Sequence, residues 1–144
     1  MSTTASPTTE PPPTAPTDAQ WATLAAAAMT CCANSWSPYS RFPVGAAVLT
    51  RHGTVAAGCN VENASSGLAI CAERNAIFRA VADGAGAIDA LVVYTPTAVP
   101  VTPCGACRQV LAEFGPAAII RCVCDGERVL EYRLHDLLPH AFRV

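Results

Sequence analysis

Three cysteines in two short runs, Cys71-Ala-Glu-Arg74 and Thr102-Pro-Cys-Gly-Ala-Cys-Arg-Gln109, constrain this chain more than any other feature. Cys104 and Cys107 stand at i, i+3, a spacing that puts both sulfurs on one face of a helical turn. Pro103 suits the start of that helix, because the N–H it lacks would have no intrahelical partner there. Cys71, at the head of an earlier predicted helix, can supply a third sulfur. Glu73, two residues on, cannot share that direction along a regular helix, so its carboxylate stays out of the ligand set. Three thiolates and a water give a four-coordinate zinc centre with an open position, whereas a closed structural site needs a fourth protein ligand. Taken alone, Cys104-x-x-Cys107 also reads as a structural zinc knuckle or a redox pair. The other cysteines, Cys31, Cys32, Cys59, Cys122 and Cys124, read as small buried hydrophobes. His52, His135 and His140 fall on turns or near the end of the chain, outside the ligand set.

The pattern around these runs alternates between helix and strand. Residues 2 to 16 are almost wholly Ser, Thr, Ala and Pro and cannot bury enough apolar surface to offset ordering entropy. The expected division is a disordered tail over 1–16 and one catalytic-sized domain over 17–144. Thr17-Asp-Ala-Gln20 is a capping box that opens a helix with an apolar stripe of Trp21, Leu24, Ala25, Ala28, Met29 and Cys32. Two strands follow, about 44–50 and 54–59, joined by Arg51-His52-Gly53. A helix over about 70–82, a buried strand over 88–95 and a helix over 103–114 come next. Two more strands, about 118–124 and 128–133, flank Asp125-Gly126, and a short helix lies near 135–138. Strands interleaved with helices in this way predict a mixed five-stranded sheet between helical layers. The short Asp125-Gly126 connection permits only antiparallel pairing of the fourth and fifth strands.

Charge excludes one class of partner. The formal net charge is −2, and all nine basic residues are scattered arginines. Nothing resembles the basic stripe with which a protein displaces counterions from nucleic acid. No apolar run approaches the ~20 residues that span a bilayer, and the Ala-rich run at 22–28 has no basic residue before it, as a secretory leader would. Clustered cysteines without a leader point to a reducing, cytoplasmic setting and to metal or catalytic use. Hydrophobic residues make up 51% of the chain against 14% charged, an excess expected to be buried in part between subunits.

Five stretches together resemble the cytidine deaminases, zinc enzymes that act on free pyrimidine nucleosides: Tyr39-Ser-Arg-Phe-Pro-Val-Gly-Ala-Ala47, Gly58-Cys-Asn-Val-Glu-Asn-Ala64, Cys71-Ala-Glu-Arg74, Pro103-Cys-Gly-Ala-Cys-Arg-Gln-Val110 and Leu137-Leu-Pro-His-Ala-Phe142. The likeness runs from Ser37 to Phe142. It implies a cytidine-deaminase-like three-layer α/β/α sandwich and a homotetramer. It also implies zinc on Cys71, Cys104 and Cys107, with Glu73 as the proton shuttle for attack of a water on C4 of cytosine. By the same resemblance, Arg74 interacts with the ligand sulfurs, Asn60 and Glu62 hold the ribose 3′-hydroxyl, and Phe42 packs on the base. The N–H of Ala72 meets the pyrimidine O2, the carbonyl of Thr102 accepts from the amino group, and Phe142 lies near a neighbouring subunit's site. The activity implied is hydrolytic deamination of cytidine and 2′-deoxycytidine in pyrimidine salvage. Ser66 stands where many members carry a tyrosine, which opens a second reading: an enzyme tuned to a modified cytosine nucleoside, such as an N4-substituted cytidine or blasticidin S.

Overall fold

A computed structural model describes residues 13–144; of the predicted tail, only 13–16 fall within it, and Pro16 is buried. Helix α1 (Asp18–Cys32) starts as the capping box requires. Thr17 Oγ1 accepts from the Gln20 N–H at 3.2 Å, and Gln20 Oε1 accepts from the Thr17 N–H at 2.9 Å. Its buried line is Trp21, Leu24, Ala28 and Cys32. Met29, expected in the stripe, is 49% exposed, and Ala25 is half-buried. The face against the sheet is narrower than six residues, because each step along a helix rotates a side chain by about 100°.

The sheet comprises β1 (Gly45–Thr50), β2 (Val55–Cys59), β3 (Ile88–Thr95), β4 (Ile119–Cys124) and β5 (Leu130–Arg133), in the order β2-β1-β3-β4-β5. β1 is antiparallel to both neighbours, β3 and β4 are parallel, and β4 and β5 are antiparallel. Parallel strands need a crossover, which α3 (Gly105–Phe114) supplies between β3 and β4. Alternation along the central strands fills two cores. Ala47, Leu49, Ala90, Val92 and Tyr94 pack with α1. On the opposite face Ala46, Val48, Leu91, Val93 and Ile120 pack with α3 and with α2 (Ala72–Ala82). The expected three-layer α/β/α sandwich is therefore the observed one.

Helix α2 lies unusually close to the sheet. A Cβ built on Gly58 of β2 would come within 2.5 Å of the Ala76 nitrogen and 2.7 Å of the Ala72 oxygen. Because the obstacles are backbone atoms, no rotamer change relieves them. Gly58→Ala should therefore cost about 2 kcal/mol or more, lowering the melting temperature on the order of 10 °C. An unchanged melting temperature would show that the helix has room to withdraw.

Three boundaries differ from expectation. Helices α2 and α3 begin at Ala72 and Gly105, two residues later than the sequence pattern suggests, because Cys71 and Cys104 are extended N-caps (ψ 155 and 167). Pro103 thus precedes the cap and is not the first helical residue. The β4–β5 connection covers residues 125–129 and is longer than a two-residue Asp-Gly turn. It wraps around the Cys124 sulfur, which lies 3.6–3.7 Å from the carbonyl oxygens of Ala98, Gly126 and Arg128. A single helical turn, α4 (Leu134–Leu137), follows β5.

Candidate metal centre and active site

The starts of α2 and α3 converge. Cys71 and Cys104 cap the two helices, yet neither thiol accepts from its own helix's N–H groups, so both sulfurs remain available to a ligand. The Cys71 and Cys104 sulfurs are 3.8 Å apart, those of Cys104 and Cys107 3.5 Å, and all three lie within 4.8 Å of one another. Two sulfurs on one tetrahedral zinc, at the usual Zn–S length, stand ~3.8 Å apart. The donor set therefore fits a single zinc ion without rearrangement. The thiols already share charge unequally. Hydrogen bonding from the Cys107 thiol, and then from Arg74 and Cys104, holds Cys71 down at about 5. The same interaction and burial push Cys107 up.

Arg74 Nη2 donates to the Cys71 sulfur at 3.4 Å, while its Nε is buried with no hydrogen-bond partner. A buried guanidinium N–H without a partner is costly on its own, and its place next to the cluster suits an anionic set of sulfurs. Two helix N-termini point into the same space and favour anionic sulfur there.

Glu73, the second residue of α2, is only 5% exposed. Burial pushes its carboxyl up to about 7 and nearby Cys71 adds to this; its own backbone N–H, Arg74 and the Cys107 thiol pull the other way. A carboxyl in that range both accepts and donates protons near neutrality. Ala72 is wholly buried at the first helical position, where backbone N–H groups lack intrahelical acceptors. Cys122 lies in the buried core, and burial raises its thiol to about 12, in keeping with a packing role.

A second group lies on the adjoining loops. Val61 bridges Trp36 on one side and Ile70 on the other, which ties the 60–62 segment to the residue just before Cys71. Asn60 Oδ1 accepts from the Val44 N–H (2.8 Å) and the Ser35 hydroxyl, and its Nδ2 donates to the Phe42 carbonyl at 2.9 Å. Glu62 Oε2 accepts from the N–H groups of Tyr39 (2.9 Å) and Ser40 (3.2 Å). Hydrogen bonds from Ser40 and Tyr39 hold the Glu62 carboxyl below the usual range. Both residues thus brace the loop carrying Phe42, whose preceding residue, Arg41, sits in the left-handed region at φ 55. That conformation costs about 1–2 kcal/mol for a residue with a Cβ, and these braces offset it.

Two residues that spacing alone did not single out hold the far side of the site. Arg108 Nε donates to the Pro103 carbonyl at 2.8 Å, Nη2 to Thr102 Oγ1 at 3.2 Å and Nη1 to the Leu137 carbonyl at 3.0 Å. Gln109 binds the backbone of Phe142. Among the expected site residues, the three thiols, Glu73, Ala72 and Arg74 come together in one cluster. Phe42, Asn60 and Glu62 form the adjoining one, and Thr102 is fixed beside Cys104. Phe142 does not join them: the residue is 75% exposed.

Both the sequence and the fold have known relatives. The family described as the cytidine and deoxycytidylate deaminase zinc-binding region matches residues 18–123. A cytidine deaminase of Sporosarcina psychrophila is 47% identical over 110 residues, covering 75% of this chain and 80% of its own. One from Mycobacterium tuberculosis is 42% identical over 125 residues, covering 87% and 91%. The 1.6 Å crystal structure of cytidine deaminase from Burkholderia pseudomallei superposes with a TM-score of 0.80 at 44% identity, over 84% of this chain and 98% of that one. Because the matched span holds the sheet as far as β4 and all three thiols, and the identities exceed 40% over most of both partners, the chain belongs to the zinc-binding cytidine and deoxycytidylate deaminase family.

Proposed function

We infer that the chain catalyses the hydrolytic deamination of cytidine and 2′-deoxycytidine to uridine and 2′-deoxyuridine, with release of ammonia. The observation that carries this reading is a three-sulfur cluster sized for one zinc, with a buried acid beside it that is not needed as a ligand. Cys71, Cys104 and Cys107 would hold the ion, which when bound acts as a Lewis acid and makes an attacking water acidic near neutral pH.

The chain's own residues then divide the work. Glu73 takes a proton from the attacking water, delivers it to ring N3, and assists departure of the amino group as ammonia. One C4–O bond forms, one C4–N bond breaks, and one water is consumed. The N–H of Ala72 orients the pyrimidine through O2, the Thr102 carbonyl accepts from the amino group, and Phe42 packs on the base. Arg74 and the two helix starts balance the charge excess of three thiolates over a dication. Asn60 retains one amide hydrogen and Glu62 retains Oε1 after bracing their loop, a donor and an acceptor suited to a single hydroxyl. Directed to the 3′-hydroxyl, which ribose and deoxyribose share, this pair admits both nucleosides.

The active form is a homotetramer, with Phe142 of one copy beside the site of another. Its support is the set of large apolar side chains left exposed, including Trp36, Tyr39, Leu68 and Phe142. Among the described residues no helix is long and apolar enough to cross a membrane. A site built on free thiolates is best preserved in a reducing compartment, which supports a cytoplasmic role in pyrimidine salvage. Nucleic acid is not a substrate on this reading, since the nine arginines are spread along the sequence and β5 returns directly beside β4. Relatives at 42–47% identity are cytidine deaminases, which favours the plain nucleoside over a modified one despite Ser66.

A substrate panel on zinc-quantified protein tests this. Cytidine and 2′-deoxycytidine should give the highest kcat/KM, read by ammonia release and the absorbance change to the uridines. A preference for an N4-substituted cytidine or blasticidin S would move the assignment to the modified nucleoside. Absence of turnover on every substrate would leave a zinc-stabilised binding protein.

A further inference from the structure

After α4 the chain forms no helix or strand, yet the last residue of α4 and the segment beyond it are each fastened to α3 by neighbouring side chains. Arg108 holds the Leu137 carbonyl. The Gln109 carboxamide takes both backbone groups of Phe142: Nε2 donates to its carbonyl at 3.0 Å, and Oε1 accepts from its N–H at 3.0 Å. This two-way pairing reproduces one rung of a β-ladder with a side chain, and it fixes the peptide groups on either side of the Phe142 Cα. Ala141, just before it, packs against the main core. The backbone is thus held on both sides while the ring projects into solvent.

We propose that Gln109 is a positioning residue, whose carboxamide aims the Phe142 ring at the substrate pocket of a second copy of this chain. This rests on the reading above that Phe142 serves a neighbouring site. Because Gln109 lies two residues beyond Cys107 on α3, the helix that presents two metal thiols also sets what each copy lends to its neighbour.

The test is a double-mutant cycle in the full-length, zinc-loaded protein: Gln109→Ala, Phe142→Ala and the double variant, with Gln109→Glu as a further single variant. Read are kcat and KM for cytidine, zinc per chain, and amide exchange over residues 139–144. Gln109→Ala should raise KM on the order of tenfold, as loss of two exposed hydrogen bonds implies, with zinc content and kcat little changed and faster exchange in the segment. Gln109→Glu keeps the acceptor but lacks the donor, and should fail to restore KM. In the Phe142→Ala background, loss of Gln109 should add nothing. If Phe142→Ala raises KM while Gln109→Ala does not, or if the two effects add in full, the positioning role is overturned. Zinc loss in both Gln109 variants overturns it too, making the residue a support of α3. Should Phe142→Ala leave KM unchanged, the neighbouring-site reading itself fails, a result distinct from the others.

Discussion

Glu73→Gln is expected to lower kcat for cytidine by about 100- to 10,000-fold with zinc content unchanged. The substitution exchanges one oxygen for an amide nitrogen and leaves the shape of the side chain intact, so the surrounding packing at 5% exposure is not disturbed. The amide cannot accept a proton from water and return it to a ring nitrogen, which removes the relay and nothing else. The three sulfurs keep their places, because Glu73 is not among the residues that clasp the ion. Nor should the fold weaken: burial already disfavours the charged carboxylate, as its upward displacement to about 7 shows, and a neutral amide avoids that cost. Metal analysis, a melting curve and kcat on the same preparation check all three statements. Turnover at the parental rate in zinc-replete protein would sink the shuttle assignment, and loss of zinc would place Glu73 among the ligands.

Residue types at fixed spacing made the thiols and the acid legible before any coordinates. What the spacing could not convey was the state of the backbone at each thiol. Cys71 and Cys104 read as members of their helices because cysteine carries no capping signature, yet both adopt extended N-cap geometry. That shift moves each helix start by two residues and points the thiols away from the first-turn N–H groups. Strand and helix order followed from periodicity. The sheet order β2-β1-β3-β4-β5 did not, since β1 and β3 pair across β2, α2 and the loops between them, with no local turn to set their register. Arg108 and Gln109 stand in plain view within the Cys104–Gln109 run, but Leu137 and Phe142, which they hold, lie 29 and 33 residues further on. Asn60 and Glu62 illustrate the converse. Read as substrate contacts from the resemblance, they also hold the Phe42 loop, which leaves Asn60 one amide hydrogen and Glu62 one carboxylate oxygen for any other partner.

Removing a thiol should separate the metal from the acid. Cys71→Ala, Cys104→Ala and Cys107→Ala are each expected to abolish zinc retention and to leave activity below about 1% of the parent, since two thiolates and water do not complete a site built for three. Stability should divide them. Cys104 is exposed at a helix cap, whereas Cys107 is buried and packs within the layer beneath the site. Its loss adds a small cavity, costing about 1 kcal/mol beyond the metal's contribution, and leaves the Arg74 guanidinium with one sulfur fewer nearby. The melting temperature should therefore fall furthest for Cys107→Ala. The Cys71 variant decides between a three-thiol site and the bare Cys-x-x-Cys alternatives. A redox pair or a knuckle confined to residues 104 and 107 predicts normal zinc and thiol behaviour without Cys71. A site drawn from both helix starts predicts that Cys71→Ala is as metal-poor as the other two, and retention of zinc in that variant would remove the second helix from the centre and the open coordination position with it.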